Sequence, residues 1–269
     1  MATMREIDPL LKVDSLSVSY GHARGVARVS IALAEGESLA IVGESGSGKT
    51  TLLRSIARLL PVQARVESGS VEFSGRDILR ASEREMRALR GSQIAYIFQN
   101  GQSSLDPLFT IGQQFGEILR AHGKEVSCVY ERNLLSKMGI QDPSRVLHAL
   151  PSELSGGQCQ RVAIAFAVAC EPKLLLADEP TSALDVGAQA KVEELLRDLN
   201  QREGISLVVV THDIGLATRI ASRIAVMKDG HVIETGQTEQ VVANPSEAYT
   251  RELISAVPRA TRKFRRVEP

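Results

Sequence analysis

Short apolar runs, separated by segments of helical periodicity, organise this chain. Ser38-Leu39-Ala40-Ile41-Val42 is apolar after its first residue and stops at Gly43, as a buried strand feeding a loop should. Upstream, Val13, Leu16 and Val18 approximate a half-buried strand and Val26 to Leu33 a second, so residues 11 to 42 are expected to be strands. Thr51 to Leu60 is expected to form a helix stopped by Pro61, and Gln93 to Phe98 a further strand. From Thr110 to Gln158 the strand signals vanish. Ile111, Phe115, Ile118 and Leu119 recur at helical spacing, as do Leu134, Leu135 and Met138, which predicts a helical insertion with ends near Gln99 and Gln158. Val162 to Cys170 then reads as an apolar helix and Leu174 to Ala177 as a buried strand. Val192, Leu195, Leu196 and Leu199 mark one face of an amphipathic helix. Leu207 to Val210 is a continuous apolar strand, the signature of a parallel sheet covered on both faces. Ile224 to Met227 and Val232-Ile233 flank Asp229-Gly230, a hairpin turn signal.

This alternation defines an α/β chain, and composition narrows what it does. Its 269 residues are 43% apolar and 24% charged, ordinary values for a soluble globular protein. The formal net charge is zero, so no global field draws it to nucleic acid or anionic membrane. The longest nearly pure apolar run, Val162 to Cys170, is too short to span a bilayer. The N-terminus carries Glu6 and Asp8 and no apolar segment of a secretion signal, so a membrane role is expected to come through a partner. Cys128, Cys159 and Cys170 form no close pair and read as free, reduced thiols. Cys159 falls just inside a helix N-terminus, where the dipole is expected to lower its pKa. Arg259, Arg262, Lys263, Arg265 and Arg266 read as a solvated basic tail, with contact to lipid headgroups or a partner as the alternative.

Gly43-Glu44-Ser45-Gly46-Ser47-Gly48-Lys49-Thr50 fits the phosphate-loop pattern G-x-x-x-x-G-K-[ST], between a strand and a helix. Its glycines let backbone N–H groups turn toward phosphates, and the helix N-terminus adds partial positive charge. Lys49 is expected at the β- and γ-phosphates and Thr50 on Mg²⁺, with Thr51 completing the loop set. Asp178 ends a buried strand at the edge where open α/β sheets bind ligands, which suits a metal. Glu179 points elsewhere and suits the orientation or deprotonation of an attacking water. Gln99 and His212 each follow an apolar strand, and both are expected near the γ-phosphate, Gln99 through Mg²⁺ or water. Tyr20, ending an early strand, offers a flat ring to a base. Leu154-Ser155-Gly156-Gly157-Gln158 is a second small-residue turn at a helix start. One nucleotide loop but two phosphate-facing turns suggests a site completed by another chain.

Taken together, these residues resemble the nucleotide-binding subunits of ATP-binding cassette transporters, and the resemblance runs over nearly the whole chain. Gly43–Thr50 looks like the Walker A motif, Leu174–Asp178 the Walker B motif, Glu179 the catalytic glutamate and Gln99 the Q-loop glutamine. Tyr20 looks like the adenine-stacking aromatic, Asp185 part of the D-loop Ser182-Ala183-Leu184-Asp185, and His212 the switch histidine. Leu154–Gln158 matches the family signature without a mismatch. The resemblance implies a P-loop NTPase (RecA-like) core, residues 1–98 and 159–243, with an antiparallel β subdomain. It adds an inserted helical signature subdomain, 99–158, and a C-terminal extension, 244–269.

The implied cofactors are ATP and Mg²⁺, with Thr50, Gln99 and Asp178 toward the metal. Two subunits of this family pair head to tail, so Ser155, Gly156, Gly157 and Gln158 would act in trans on the partner's γ-phosphate. The expected partners are a second, commonly different, ATPase subunit, two integral membrane permease subunits and, through them, an extracytoplasmic binding protein, with no nucleic acid. The expected location is the cytoplasmic face of the cell membrane. Ser103-Ser104-Leu105-Asp106-Pro107, Thr110-Ile111-Gly112, Asn244-Pro245, Tyr249-Thr250-Arg251 and Val257-Pro258 look like importers of peptides, nickel and metal chelates. The cysteine-rich segment of many peptide members is missing after Cys170, which points toward nickel or a metallophore over peptide. The rival is a soluble cassette ATPase on DNA or ribosomes, against which stand the lack of sustained heptads and of a second phosphate loop.

Overall fold

The computed structural model of the chain describes residues 8–21 and 23–256. The basic positions from Arg259 to Arg266, Val257-Pro258 and Glu6 lie outside the described residues. The chain opens with strands β1 (Leu11–Tyr20), β2 (Ala23–Leu33) and β3 (Ser38–Val42), helix α1 (Lys49–Ala57), and strands β4 (Ala64–Phe73) and β5 (Arg76–Asp77). A helix-rich stretch follows: α2 (Glu83–Leu89), strand β6 (Ile94–Ile97), α3 (Ile111–Ala121), α4 (Cys128–Lys137), α5 (Pro143–His148), α6 (Gly156–Val168), strand β7 (Leu174–Asp178) and α7 (Val186–Gln201). Then come β8 (Ser206–Thr211), α8 (Ile214–Ile220), β9 (Arg223–Lys228), β10 (His231–Gln237), α9 (Thr238–Ala243) and α10 (Ala248–Ala256). These elements gather into two compact units, one made of the residues up to Ser82 and from Ser206 onward, the other of Glu83–Ile205.

In the first unit β3 runs parallel to β8 on one side and β9 on the other. Every residue of β3 and β8 is buried, so both strands carry a continuous apolar run, Leu39–Val42 and Leu207–Val210, rather than an alternation. Asp229 (φ 48°) and Gly230 (φ 81°) turn β9 back into antiparallel β10, in the left-handed backbone a two-residue hairpin needs. A second, antiparallel sheet runs β2-β1-β4-β5. Ser15, at φ 49°, lies where the β1 register shifts between Val13 and Leu16. The extra residue lets Val13, Leu16 and Val18 all face the core despite their uneven spacing. Helix α1 stops at Ala57, short of the expected Leu60. Arg58 adopts a left-handed φ of 51°, and its guanidinium donates to the Ile78 and Ala81 carbonyls. A tertiary anchor, not Pro61, thus ends the helix.

In the second unit β6 and β7 are parallel, with Ile97 opposite Ala177. Only helices and turns occupy the described chain between them, as the loss of strand signal predicts. Thr110 opens α3 with a capping box to Gln113. Phe115 is fully buried, its ring 5.2 Å from that of Phe166 and 6.5 Å from that of Tyr130. The Tyr130 hydroxyl donates to the Ala169 carbonyl at 2.7 Å, and burial pushes the phenol pKa up. Val192, Leu195, Leu196 and Leu199 form the buried face of α7, as their spacing predicts. No helix of the described residues is long and apolar enough to cross a membrane.

Candidate nucleotide site

Strand β3 delivers the chain into Gly43–Gly48, and α1 takes over at Lys49. A Cβ on Gly43 would stand 2.2 Å from the Met227 carbonyl oxygen, and one on Gly48 would stand 2.2 Å from that of Gly25. Gly48 also has φ 100° and presents no side chain to cap α1. The helix head is therefore open to an external anion, with its first amides unused by the helix. Lys49 is buried, and its ammonium donates to the Gly43 and Glu44 carbonyls at 2.8 and 2.7 Å. Within the same loop the Ser47 hydroxyl is buried with no hydrogen-bond partner. Ser45 and Gly46 sit at its exposed tip. A cation, an uncapped helix head and an orphaned hydroxyl in one turn are the chemistry of a phosphate cradle.

Two further expected residues belong to this unit. Val42 pairs with Thr211, so Gly43 and His212 leave the same sheet edge on neighbouring parallel strands, and His212 is exposed there. Tyr20 ends β1 half-buried, its hydroxyl 3.1 Å from the Thr51 hydroxyl on α1. Its ring lies so close over Gly25 that a Cβ there would meet the ring edge at 2.7 Å. The ring is thereby fixed beside the head of α1.

The second unit carries the expected acidic residues. Asp178 is buried at the end of β7 and accepts a 2.8 Å hydrogen bond from the Tyr96 hydroxyl of β6. Glu179 follows in a left-handed conformation, φ 44°, which is strained for a side chain of this size. Because β6 and β7 are parallel and in register, Gln99 emerges next to Glu179. Its Nε2 donates to the Glu179 carboxylate and to the Ser182 hydroxyl, both at 3.3 Å. The Ser182 hydroxyl in turn donates to the Glu179 carbonyl. Sequence reading anticipated a metal or a phosphate for Gln99; in the structure its amide also positions Glu179.

The signature turn is a helix cap. Ser155 accepts from the Gln158 amide, and the Gln158 side chain accepts from the Ser155 amide, a reciprocal capping box at the head of α6. A Cβ on Gly157 would come within 2.9 Å of Ala188, whereas one on Gly156 would meet nothing within 4 Å. Asp185 is exposed and caps α7 by accepting from the Ala188 amide at 2.9 Å. The dipole argument for Cys159 is overturned: its side chain is fully buried, and that burial pushes the thiol pKa up, outweighing a backbone hydrogen bond that lowers it. Its Sγ lies against the Pro151 carbonyl at 3.5 Å.

Sequence reading missed several supporting residues. Tyr96 holds Asp178 from 82 positions away, and Tyr249 reaches the phosphate loop from 205 positions beyond Glu44. Gln160, buried in α6, accepts from the Gly101 amide at 2.8 Å and so clips the segment after Gln99 to the signature helix. Tyr249 stood out only as part of Tyr249-Thr250-Arg251, and nothing local marked its reach to the loop.

The phosphate cradle, set between a buried parallel strand and a helix, defines a P-loop nucleotide-binding protein. The profile of the ABC transporter family matches residues 26–182. The chain is 48% identical over 259 residues to the peptidoglycan transport ATP-binding protein YejF of Agrobacterium fabrum, covering 93% of this chain and 47% of that protein. It thus spans about half the length of that relative. It is 45% identical over 256 residues to the dipeptide transport ATP-binding protein DppD of Escherichia coli, covering 93% of this chain and 78% of that one. A dimeric ATP-binding cassette in a post-hydrolysis state, bound to ADP and Pi, matches with a TM-score of 0.74 at 31% identity, covering 85% and 98% of the two chains. The chain belongs to the ABC transporter ATPase family.

Proposed function

We propose that the chain is the ATP-hydrolysing subunit of an importer that moves di- or oligopeptides through separate membrane permeases. The observation that carries hydrolysis is the Gln99–Glu179 contact on neighbouring strand ends, which leaves a carboxylate poised to take a proton from water. Lys49 and the amides of the loop hold the phosphates, Tyr20 takes the adenine, and His212 reaches the γ-phosphate. Thr50, Asp178 and Gln99 would hold Mg²⁺, which supplies charge neutralisation along the phosphate chain when bound. The relative named for dipeptide transport moves the assignment toward peptide and away from nickel or a metallophore.

The signature supports dimerisation with a second ATPase subunit, a different one or a second copy of this chain. Gly156 is a glycine that nothing in its own chain requires, as an incoming phosphate from a partner would. Phe98, Leu108 and Phe109 are exposed near Gln99 and suit an apolar permease contact at the cytoplasmic face of the membrane. ATP favours the closed dimer, hydrolysis reopens it, and the permease senses which state prevails. The test is Glu179→Gln in the assembled complex. ATP binding is expected to persist while turnover falls about 100-fold or more, within the range of a lost general base. Turnover near wild type removes Glu179 from that role.

A further inference from the structure

The underside of the phosphate loop is held by the chain's last described elements. Gly230, in the β9–β10 turn, donates its amide to the Ser47 carbonyl at 3.1 Å and accepts from the Ala27 amide. The Glu44 amide donates to the Tyr249 hydroxyl at 3.0 Å. That N–H is therefore not directed at a bound anion; it is committed to a side chain of α10. Tyr249 is itself buried, and the Lys228 ammonium lies 4.7 Å over its ring, a cation–π contact that fixes the ring plane. The start of α10 is fastened as firmly. The Glu234 carboxylate of β10 accepts from the Ser246 amide, the Ser246 hydroxyl and the Glu247 amide at 2.8, 2.8 and 3.2 Å. Arg251 donates to the Pro245 and Ser246 carbonyls.

We infer that Tyr249 is a positioning residue for nucleotide binding: through the Glu44 amide it sets the backbone of the phosphate loop, which makes the C-terminal helix α10 part of the ATP site. The inference rests on the nucleotide assignment made above. Its physical basis is the geometry of Glu44, which stands between Gly43 and the tip of the loop. Its carbonyl accepts from Lys49 and from the Ser47 amide, while its N–H is tied to Tyr249. One residue thus joins the phosphate-binding lysine to α10. If the phenol is withdrawn, a loop N–H loses its partner, and it regains one only by turning the peptide that also carries the Gly43 carbonyl on which Lys49 rests.

The experiment measures equilibrium binding of a fluorescent ATP analogue to the full chain, with thermal melts of the same samples without nucleotide. Tyr249→Phe keeps the ring and its contact with Lys228 and removes only the acceptor. It is expected to weaken nucleotide binding about three- to tenfold, the equivalent of one hydrogen bond. In the assembled ATPase the same substitution is expected to raise KM for ATP by a similar factor with kcat within about twofold. Glu44→Pro removes the donor, so no N–H is left for the phenol to satisfy. Tyr249→Phe placed on Glu44→Pro is expected to change binding less than twofold relative to Glu44→Pro alone.

An unchanged affinity in Tyr249→Phe overturns the inference, and so does a lowered melting temperature with affinity intact. An equal loss with and without Glu44→Pro also overturns it, since Tyr249 would then act by another route. Failure of the unaltered chain to bind the analogue is a different result: it overturns the nucleotide assignment itself, and this inference with it.

Discussion

Gly156 and Gly157 stand side by side at the head of α6 and answer to different constraints. Gly157 faces Ala188, and an added methyl there must displace α7 or α6, at a cost of about 1–3 kcal/mol. Gly156 faces open space, and alanine at that position is as good a helix former or better. Gly157→Ala is thus expected to lower thermal stability, whereas Gly156→Ala is expected to leave it unchanged or slightly raised. On the proposed pairing, turnover of the assembled dimer is nevertheless expected to fall about tenfold or more in Gly156→Ala, because the methyl would occupy the approach of the partner's phosphate. Melting curves on the isolated chain and turnover on the complex separate the two. Full turnover in Gly156→Ala would remove the reason for a glycine there.

At the scale of elements, the anchoring of α10 is an acid-sensitive joint. Burial alone would raise the Glu234 carboxyl, but the hydrogen bonds it accepts, those of Ser246 and Glu247 among them, outweigh burial and hold its pKa below the ordinary value. With the folded pKa below the unfolded one, the carboxylate stabilises the fold fully above the unfolded value. That stabilisation is lost as pH falls through the lowered folded value. Glu234→Gln is expected to reduce stability near neutral pH and to flatten its decline in acid, read from chemical denaturation across a pH series. An unchanged slope would show that the carboxylate does not titrate with folding.

The same elements show what the sequence made legible. β3, β7 and β8 are readable because burial on both faces forces unbroken apolar runs. β4 is not, since only Val71 and Phe73 of its ten residues are buried and the rest of the strand reads as polar loop. The motif residues of the site were legible because the phosphate and acid chemistry dictates residue type and spacing. Tyr96 and Tyr249 were not, because a hydroxyl that reaches its partner across 82 or 205 positions leaves no local pattern. The end of α1 was misplaced for a related reason: the distant Ile78 and Ala81 carbonyls that anchor Arg58 are invisible to periodicity.

At the scale of the whole molecule, the proposed pairing would set the exposed Ser155 turn against a second chain. Ser155→Arg in one subunit of a mixed dimer is expected to cut hydrolysis at the partner's site about tenfold or more, while the altered chain's own nucleotide affinity stays within about twofold. A defect confined to the altered chain's own site would return the signature to a role in cis. The pairing of Lys49 with its own loop bears on the kinetics of nucleotide binding. An ammonium that rests on two carbonyls, in a loop seated on Gly230 and Tyr249, leaves the phosphate loop little conformational freedom. Little chain entropy then remains to be lost when nucleotide binds, which favours fast capture.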